Sequence, residues 1–199
     1  MNRRNALKNI GLSLGYVVAT PTVISLLQSC KNDTKNLVKW APEFFSGDEG
    51  TVLKNLVDLI LPKTGNLPGA IDLNIHKFLD LYLAKVYDND KQKETKKGIN
   101  AIMTALDVTE NNPLPNIKTE TYDAFLAKYL RATKEEVKLF NEKDKAVFDT
   151  LGGLRNLTVW AYKTTEEIGE NVLAYDPIPG TQIGCVSLEE TTGGKAWSL

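Results

Sequence analysis

The stretch that decides the fold is residues 72–87, DLNIHKFLDLYLAKVY. Its apolar side chains recur every three or four positions, at Ile75, Phe78, Leu79, Tyr82, Leu83 and Val86. This spacing is typical of an amphipathic helix that buries one face. His76 lies beside the stripe, where it is either a packed or hydrogen-bonded structural residue or a contact for a cofactor edge or a partner.

Helical patterns continue on both sides of this stretch. Upstream, Ser46 and Glu49 form a capping box for a helix that ends near Leu61, because Pro62 follows. Downstream, Thr119 is expected to cap another helix. The helical segments predicted downstream are residues 88–106, 119–130, 146–162 and 165–173, with a second capping box at residues 133–136.

Two glycines lie in the middle of the 146–162 segment, at Gly152 and Gly153. Each costs roughly 1 kcal/mol relative to alanine in a helix. The pair therefore indicates a close helix crossing or a break.

No stretch alternates between apolar and polar residues with period two, so the predicted fold class is all-α. We expect a single domain of about six helices over residues 40–199, with an irregular C-terminal tail after Leu173. The tail lies either against the domain or against another protein. The apolar residues that it offers for burial are Tyr175, Ile183, Val186, Leu188 and Trp197.

Residues 1–29 have the layout of an export signal, with a basic start and then an uncharged apolar run. Its basic start resembles the twin-arginine consensus, with Ala6 where phenylalanine is usual. The signal residues are Arg3, Arg4, Leu7 and Lys8.

Residues 27–30 resemble a bacterial lipobox, which would make Cys30 the lipidated first residue of a membrane-anchored protein. Residues 30–39 are then a polar tether. An uncleaved membrane anchor and soluble export after signal cleavage are the two alternatives. All three place the domain on the periplasmic side, and none identifies inner or outer membrane.

Composition excludes several classes of function. Of 24 Lys and Arg residues, three lie in the signal, and none of the 25 Asp and Glu residues does, so the mature chain has a net charge near −4. That charge argues against a nucleic-acid partner. One histidine excludes a two-histidine metal site and covalent haem attachment within the chain. If Cys30 carries lipid, Cys185 is a buried thiol, an intermolecular bridge or a ligand.

Several segments resemble the small third subunit family of gluconate 2-dehydrogenase, in the same order along the chain. They are the W-x-P-x-F-F motif of residues 40–45, residues 56–64 (LVDLILPKT), residues 68–72, residues 161–166 (AYKTTE), residues 176–180 (DPIPG) and residues 184–186.

The resemblance implies an accessory subunit with no cofactor and no catalytic residue of its own. Such complexes pair a flavin-dependent, GMC-type sugar or sugar-acid dehydrogenase with a cytochrome c subunit. FAD and haem c are thus expected in partner subunits. The small subunit can also supply the export signal for the flavoprotein.

The function expected is export, docking and membrane tethering of a catalytic subunit. The residues expected to contact that partner are Trp40, Phe44, Phe45, Pro68, Asp72, Tyr175, Pro179, Cys185 and Trp197, each of which could instead pack on the domain's own core. One alternative is an exported lipoprotein that binds a solute or another surface protein. Another is a hydrolase that uses Asp58, Asp72 and His76.

Overall fold

A computed structural model describes residues 40–178, 180–181 and 184–198. Over these residues the domain is helical and contains no β-strand, which confirms the predicted all-α class. The long helices are α1 (Gly47–Ile60), α2 (Ile75–Val86), α3 (Asn89–Ala105), α4 (Thr119–Leu130) and α6 (Glu142–Lys163). The short elements are a 3₁₀ turn (Leu114–Asn116), α5 (Lys134–Lys138), a π-helical turn (Glu167–Val172) and α7 (Leu188–Thr192).

Two of the predicted helix starts are confirmed by hydrogen bonds. Ser46 Oγ accepts from the Glu49 backbone N–H at 3.3 Å, and the Glu49 carboxylate accepts from the Ser46 N–H at 2.7 Å. Thr133 and Glu136 form the same reciprocal pair before α5. Each box satisfies backbone donors that the first helical turn leaves unpaired.

Three other predicted starts are wrong. Thr119 is inside α4 rather than its cap, since Lys118 occupies the cap position without a side-chain bond. Residues 71–74 form a turn, so α2 begins three residues after Asp72. The longest helix begins at Glu142 rather than near residue 146, because its first turn is charged and gives no apolar signal. Its cap is Asn141, whose Oδ1 accepts two backbone bonds of 2.9 Å.

The core is organised around α6, which packs against each of the other four long helices. Side chains from several helices are completely buried there: Val52, Leu56, Val57, Leu79, Ile102 and Leu151. Burial of such side chains contributes roughly 1.5–3 kcal/mol each to folding.

The close helix crossing lies at Gly98 of α3, not at the paired glycines. A Cβ on Gly98 would collide with the Thr150 side chain of α6. At Gly152 and Gly153 a Cβ would have no neighbour within 4 Å, and α6 continues through both without a break. The cost of roughly 1 kcal/mol for each glycine therefore has no compensating contact in the described part of the chain.

The apolar stripe of α2 is only partly buried. Ile75, Leu79 and Leu83 are at most 4% exposed, whereas Phe78 and Val86 are 42% and 59% exposed. The buried face is rotated from the predicted one, because it also contains the polar residues His76 and Asp80.

The C-terminal segment, residues 174–198, is more regular than predicted, because it contains α7. Ser187 and Glu190 form a third capping box there. A five-residue helix gives too short an apolar pattern to be detected from sequence. Two backbone hydrogen bonds join the start of the segment to its end. The Ala174 N–H donates to Ala196 O at 2.9 Å, and the Ser198 N–H donates to Ala174 O at 3.0 Å.

Candidate functional site

A buried carboxylate fixes the segment that precedes α1, residues 40–45, referred to below as the Trp40 segment. Asp80 of α2 is 2% exposed. Its Oδ1 accepts from the backbone N–H groups of Phe44 (3.1 Å) and Phe45 (3.0 Å), and its Oδ2 accepts from that of Glu43 (2.6 Å). Three charge-assisted bonds satisfy the carboxylate and hold the loop backbone against α2.

This attachment turns the predicted partner aromatics of the Trp40 segment toward the domain. Phe45 is 6% exposed and belongs to the core. Phe44 is half-buried, with the Lys96 ammonium 4.9 Å from its ring centroid. Trp40 is also half-buried and meets the His76 ring edge-to-face at 4.9 Å. Whether Trp40 and Phe44 also reach a partner stays a prediction.

The loop of residues 63–72 is tied to the domain as well. The Tyr162 hydroxyl of α6 donates to Pro68 O at 2.6 Å, and the Asp72 carboxylate accepts from the Gly69 N–H at 3.0 Å. Asp72 is otherwise exposed and Pro68 is half-buried. One face of the loop is thus internal and the other is open to a partner.

The described structure does not bring Asp58, Asp72 and His76 together into the catalytic site that the hydrolase hypothesis requires. His76 is 4% exposed, and no protein group bonds its buried Nδ1. Burial, with smaller contributions from Lys54 and Lys77, lowers the pKa of His76 to about 4. Asp58 and Asp72 are exposed, and no hydrogen bond among the described residues joins either one to the imidazole. Of the two interpretations of His76, a packed structural residue or a contact for a cofactor edge or a partner, the structure supports the first.

The C-terminal segment presents its predicted contact residues to solvent. Tyr175 is 45% exposed and Trp197 is 43% exposed. Cys185 is an exposed thiol, so the interpretation as a buried thiol is wrong. Its φ of 58° lies in the left-handed region, which places it at a tight turn.

A second exposed surface was not predicted from the sequence. It is formed by Phe78, Leu81 and Tyr82 of α2 with Trp160 of α6, and is called the aromatic patch below. The ring centroids of Tyr82 and Trp160 are 5.4 Å apart, those of Phe78 and Tyr82 are 5.7 Å apart, and those of Phe78 and Trp160 are 5.9 Å apart. Sequence reasoning assigned Phe78, Tyr82 and Trp160 to buried faces, because periodicity alone cannot separate an apolar core face from an apolar outer one.

The aromatic patch continues into a groove between α3 and α6. Tyr87 connects the two, since its ring lies 5.9 Å from Tyr82 and also lines the groove. The groove has a volume of about 510 Å³ and a largely apolar wall that includes Leu154 and Leu157. Gly153 also lines it.

Several predicted residues lie outside the described part of the chain. They are Arg3, Arg4, Leu7, Lys8, Cys30 and Pro179. The export signal, the lipidation site and the tether therefore stay predictions. Among the helices of residues 40–198 that are described, none is both long and apolar enough to cross a bilayer. The same residues contain no group of three or more His, Cys, Asp or Glu side chains that could hold a metal ion.

The described domain is an all-α module with apolar side chains exposed on several of its elements. Asp80 and His76, the buried polar groups of α2, serve packing, while apolar side chains of α2, α6 and the C-terminal segment face outward. The family model described as gluconate 2-dehydrogenase subunit 3 matches residues 47–180, so the chain belongs to that family and is an accessory-type subunit of an oxidoreductase complex. Comparison with curated proteins and with solved structures gives no match.

Proposed function

We propose that this protein is the non-catalytic subunit that escorts, docks and tethers a flavin-dependent sugar or sugar-acid dehydrogenase. The observation that carries the proposal is the family match over residues 47–180, which makes the chain one subunit of a larger enzyme. The outward apolar side chains of the helical domain support a docking role, because the largest exposed apolar patch of a protein is often a functional contact surface.

Export and tethering are supported by residues 1–30. The paired arginines and the apolar run fit a twin-arginine-type signal, and Cys30 fits a lipid attachment site. The partner would then be exported together with this chain and held on the periplasmic face of a membrane.

The redox chemistry belongs to the partners in this proposal. A chain with one histidine and no Cys-x-x-Cys-His segment cannot attach c-type haem, and it has no glycine-rich dinucleotide fingerprint. A GMC-type flavoprotein would supply FAD, and a cytochrome c subunit would carry electrons away from it.

Co-purification tests the proposal directly. The full-length chain, tagged at its C-terminus, is purified from native membranes in mild detergent. We expect it to bring a flavin-containing chain whose dehydrogenase activity on sugars or sugar acids is retained. The variant Cys30→Ala should move both chains from the membrane fraction to the soluble fraction. A monomer that leaves native membranes without a flavoprotein, or that oxidises a sugar when pure, would contradict the proposal.

A further inference from the structure

We propose that the aromatic patch, together with the adjoining α3–α6 groove, is the surface on which the catalytic dehydrogenase subunit docks. This inference rests on the proposed function and specifies which face of the domain performs it.

The patch exposes side chains of the kind that anchor protein interfaces. Phe78, Leu81 and Trp160 are each 42–47% exposed, and the half-buried Tyr82 ring lies within 6 Å of both exposed rings, which are 5.9 Å from each other. With aromatic side chains of roughly 200 Å² each, the patch leaves on the order of 300 Å² of apolar surface in water. Tryptophan and tyrosine are enriched among the residues that dominate binding energy, and this face offers one of each beside Phe78.

The groove between α3 and α6 is a concave surface next to the patch. Its volume of about 510 Å³ can receive one or two apolar side chains from a partner, and Leu154 and Leu157 line it. Gly153 lies on the same wall, and a methyl group added to its Cα would meet no atom of the described chain within 4 Å. A partner backbone that passes close to α6 at this point would account for a glycine that the free helix does not need.

The charges beside the aromatic patch itself are basic, whereas the adjoining groove has both signs, with Glu94, Lys97 and Asp149 among its lining residues. By helical spacing Lys77 and Lys85 flank Leu81, and Lys163 flanks Trp160. Between Thr150 and Lys163 α6 has no acidic residue, and the only acidic residue of α2 is the buried Asp80. Glu43 pairs with Lys85 at the edge. The surface complementary to the patch is therefore an apolar protrusion of the catalytic subunit with carboxylates opposite Lys77 and Lys163.

The same charges distinguish this occupant from a second copy of the chain. Two copies of this chain that met patch to patch would bring Lys77 and Lys163 of both copies, unpaired among the described residues, to one interface, which disfavours a homodimer. The patch lies inside the matched residues 47–180 that define the family as an enzyme subunit, whereas α7 and Trp197 lie beyond them.

The test uses the full-length tagged chain in its native host. Phe78→Ala with Trp160→Ala removes the anchors, and Gly153→Ala adds one methyl group to the groove wall. Leu139→Ala is the matched control, because Leu139 is an exposed apolar residue (85%) on α5's C-terminal cap, outside the patch and groove. The measurements are flavin recovered per tagged chain, identification of the flavoprotein by mass spectrometry and dehydrogenase activity, and thermal unfolding followed by circular dichroism.

We expect the double variant to recover at least about tenfold less flavoprotein than the wild type, as for the loss of a central interface anchor. Gly153→Ala should also lower recovery although it leaves the helical fold intact, and Leu139→Ala should change nothing. If the double variant fails to fold, the Gly153→Ala result decides.

Equal recovery by wild type, Gly153→Ala and a folded double variant would overturn the docking surface and leave the proposed function standing. A wild type that recovers no flavoprotein would overturn both. Two further outcomes would also overturn the inference: loss of the chain from the membrane pellet with flavoprotein recovery unchanged, which would assign the patch to lipid, and loss of a flavin-free dimer, which would assign it to a second copy.

Discussion

The Trp40 segment and the C-terminal segment look alike in sequence and differ in the structure. Both contain aromatic residues and proline, and both were predicted to contact a partner. The Trp40 segment is held by three hydrogen bonds to one buried carboxylate, and Phe45 enters the core. The C-terminal segment is closed by two backbone bonds at its ends, and its aromatic residues Tyr175 and Trp197 are nearly half exposed.

The difference shows that apolar content does not decide which segment becomes core. An irregular segment can be buried only when its backbone donors find acceptors, because an unpaired buried N–H costs free energy. Asp80 supplies three such bonds to the Trp40 segment. In the described part of the C-terminal segment no buried side chain plays that role, so most of it stays at the surface.

The largest effect is expected from removing this acceptor. Asp80→Ala leaves three backbone donors of the Trp40 segment without their acceptor, one in a buried site and two in part-buried sites, which should lower the free energy of unfolding by about 3–5 kcal/mol. Asp80→Asn keeps one carbonyl acceptor and should cost less. Urea unfolding followed by circular dichroism measures both. Asp58→Ala, an exposed aspartate of α1, is the control and should stay within about 0.5 kcal/mol of the wild type. A loss equally small for Asp80→Ala would mean that the segment is held by its aromatic contacts alone.

A smaller effect is expected from acidification, through the His76–Trp40 contact. The folded state lowers the pKa of His76 from 6.5 to about 4, so the unfolded chain binds the proton more readily. Stability should therefore fall as the pH drops from about 6.5 toward 4, by up to about 3 kcal/mol. Lys54 and Lys77 are the charged groups that act on the imidazole, and their repulsion also lowers its pKa.

His76→Phe separates this effect from other titrations, because it keeps a ring against Trp40 and removes the proton site. The variant should lose the decline between pH 6.5 and 4 in urea unfolding. Glu49 affects stability at lower pH. Burial raises the pKa of Glu49, but its hydrogen bonds with Lys96 and Ser46 and the charge of Lys96 lower the pKa by more. The stability that Glu49 contributes is therefore lost only as the pH falls below 4.5. An unchanged pH profile in His76→Phe would show that the imidazole is more hydrated than its surroundings indicate.

The sequence predicted features that depend on neighbours along the chain. The capping boxes at Ser46 and Thr133 and the all-α class rest on local chemistry and periodicity. What it missed depends on contacts between distant residues. Asp80 lies 35 to 37 positions from the donors that it binds, and Trp160 joins Phe78 only after α2 and α6 have packed. The sequence indicated a helix crossing or a break at the pair Gly152 and Gly153, whereas the position of Thr150 shows that the crossing is at Gly98.

The smallest effect on stability is expected from truncation after Leu173, which removes the weakly attached C-terminal segment. Loss of the two backbone bonds at Ala174 should cost about 1–2 kcal/mol, and the helical circular dichroism of α1–α6 should remain. The same deletion is expected to reduce flavoprotein recovery if Tyr175 and Trp197 contact the partner alongside the aromatic patch. Collapse of the whole fold would instead show that Thr192, the buried residue of α7, ties this segment into the core as firmly as Asp80 ties the Trp40 segment. The truncation therefore tests the comparison between the two segments. That comparison attributes burial to the number of buried acceptors for backbone N–H groups and not to the number of apolar side chains.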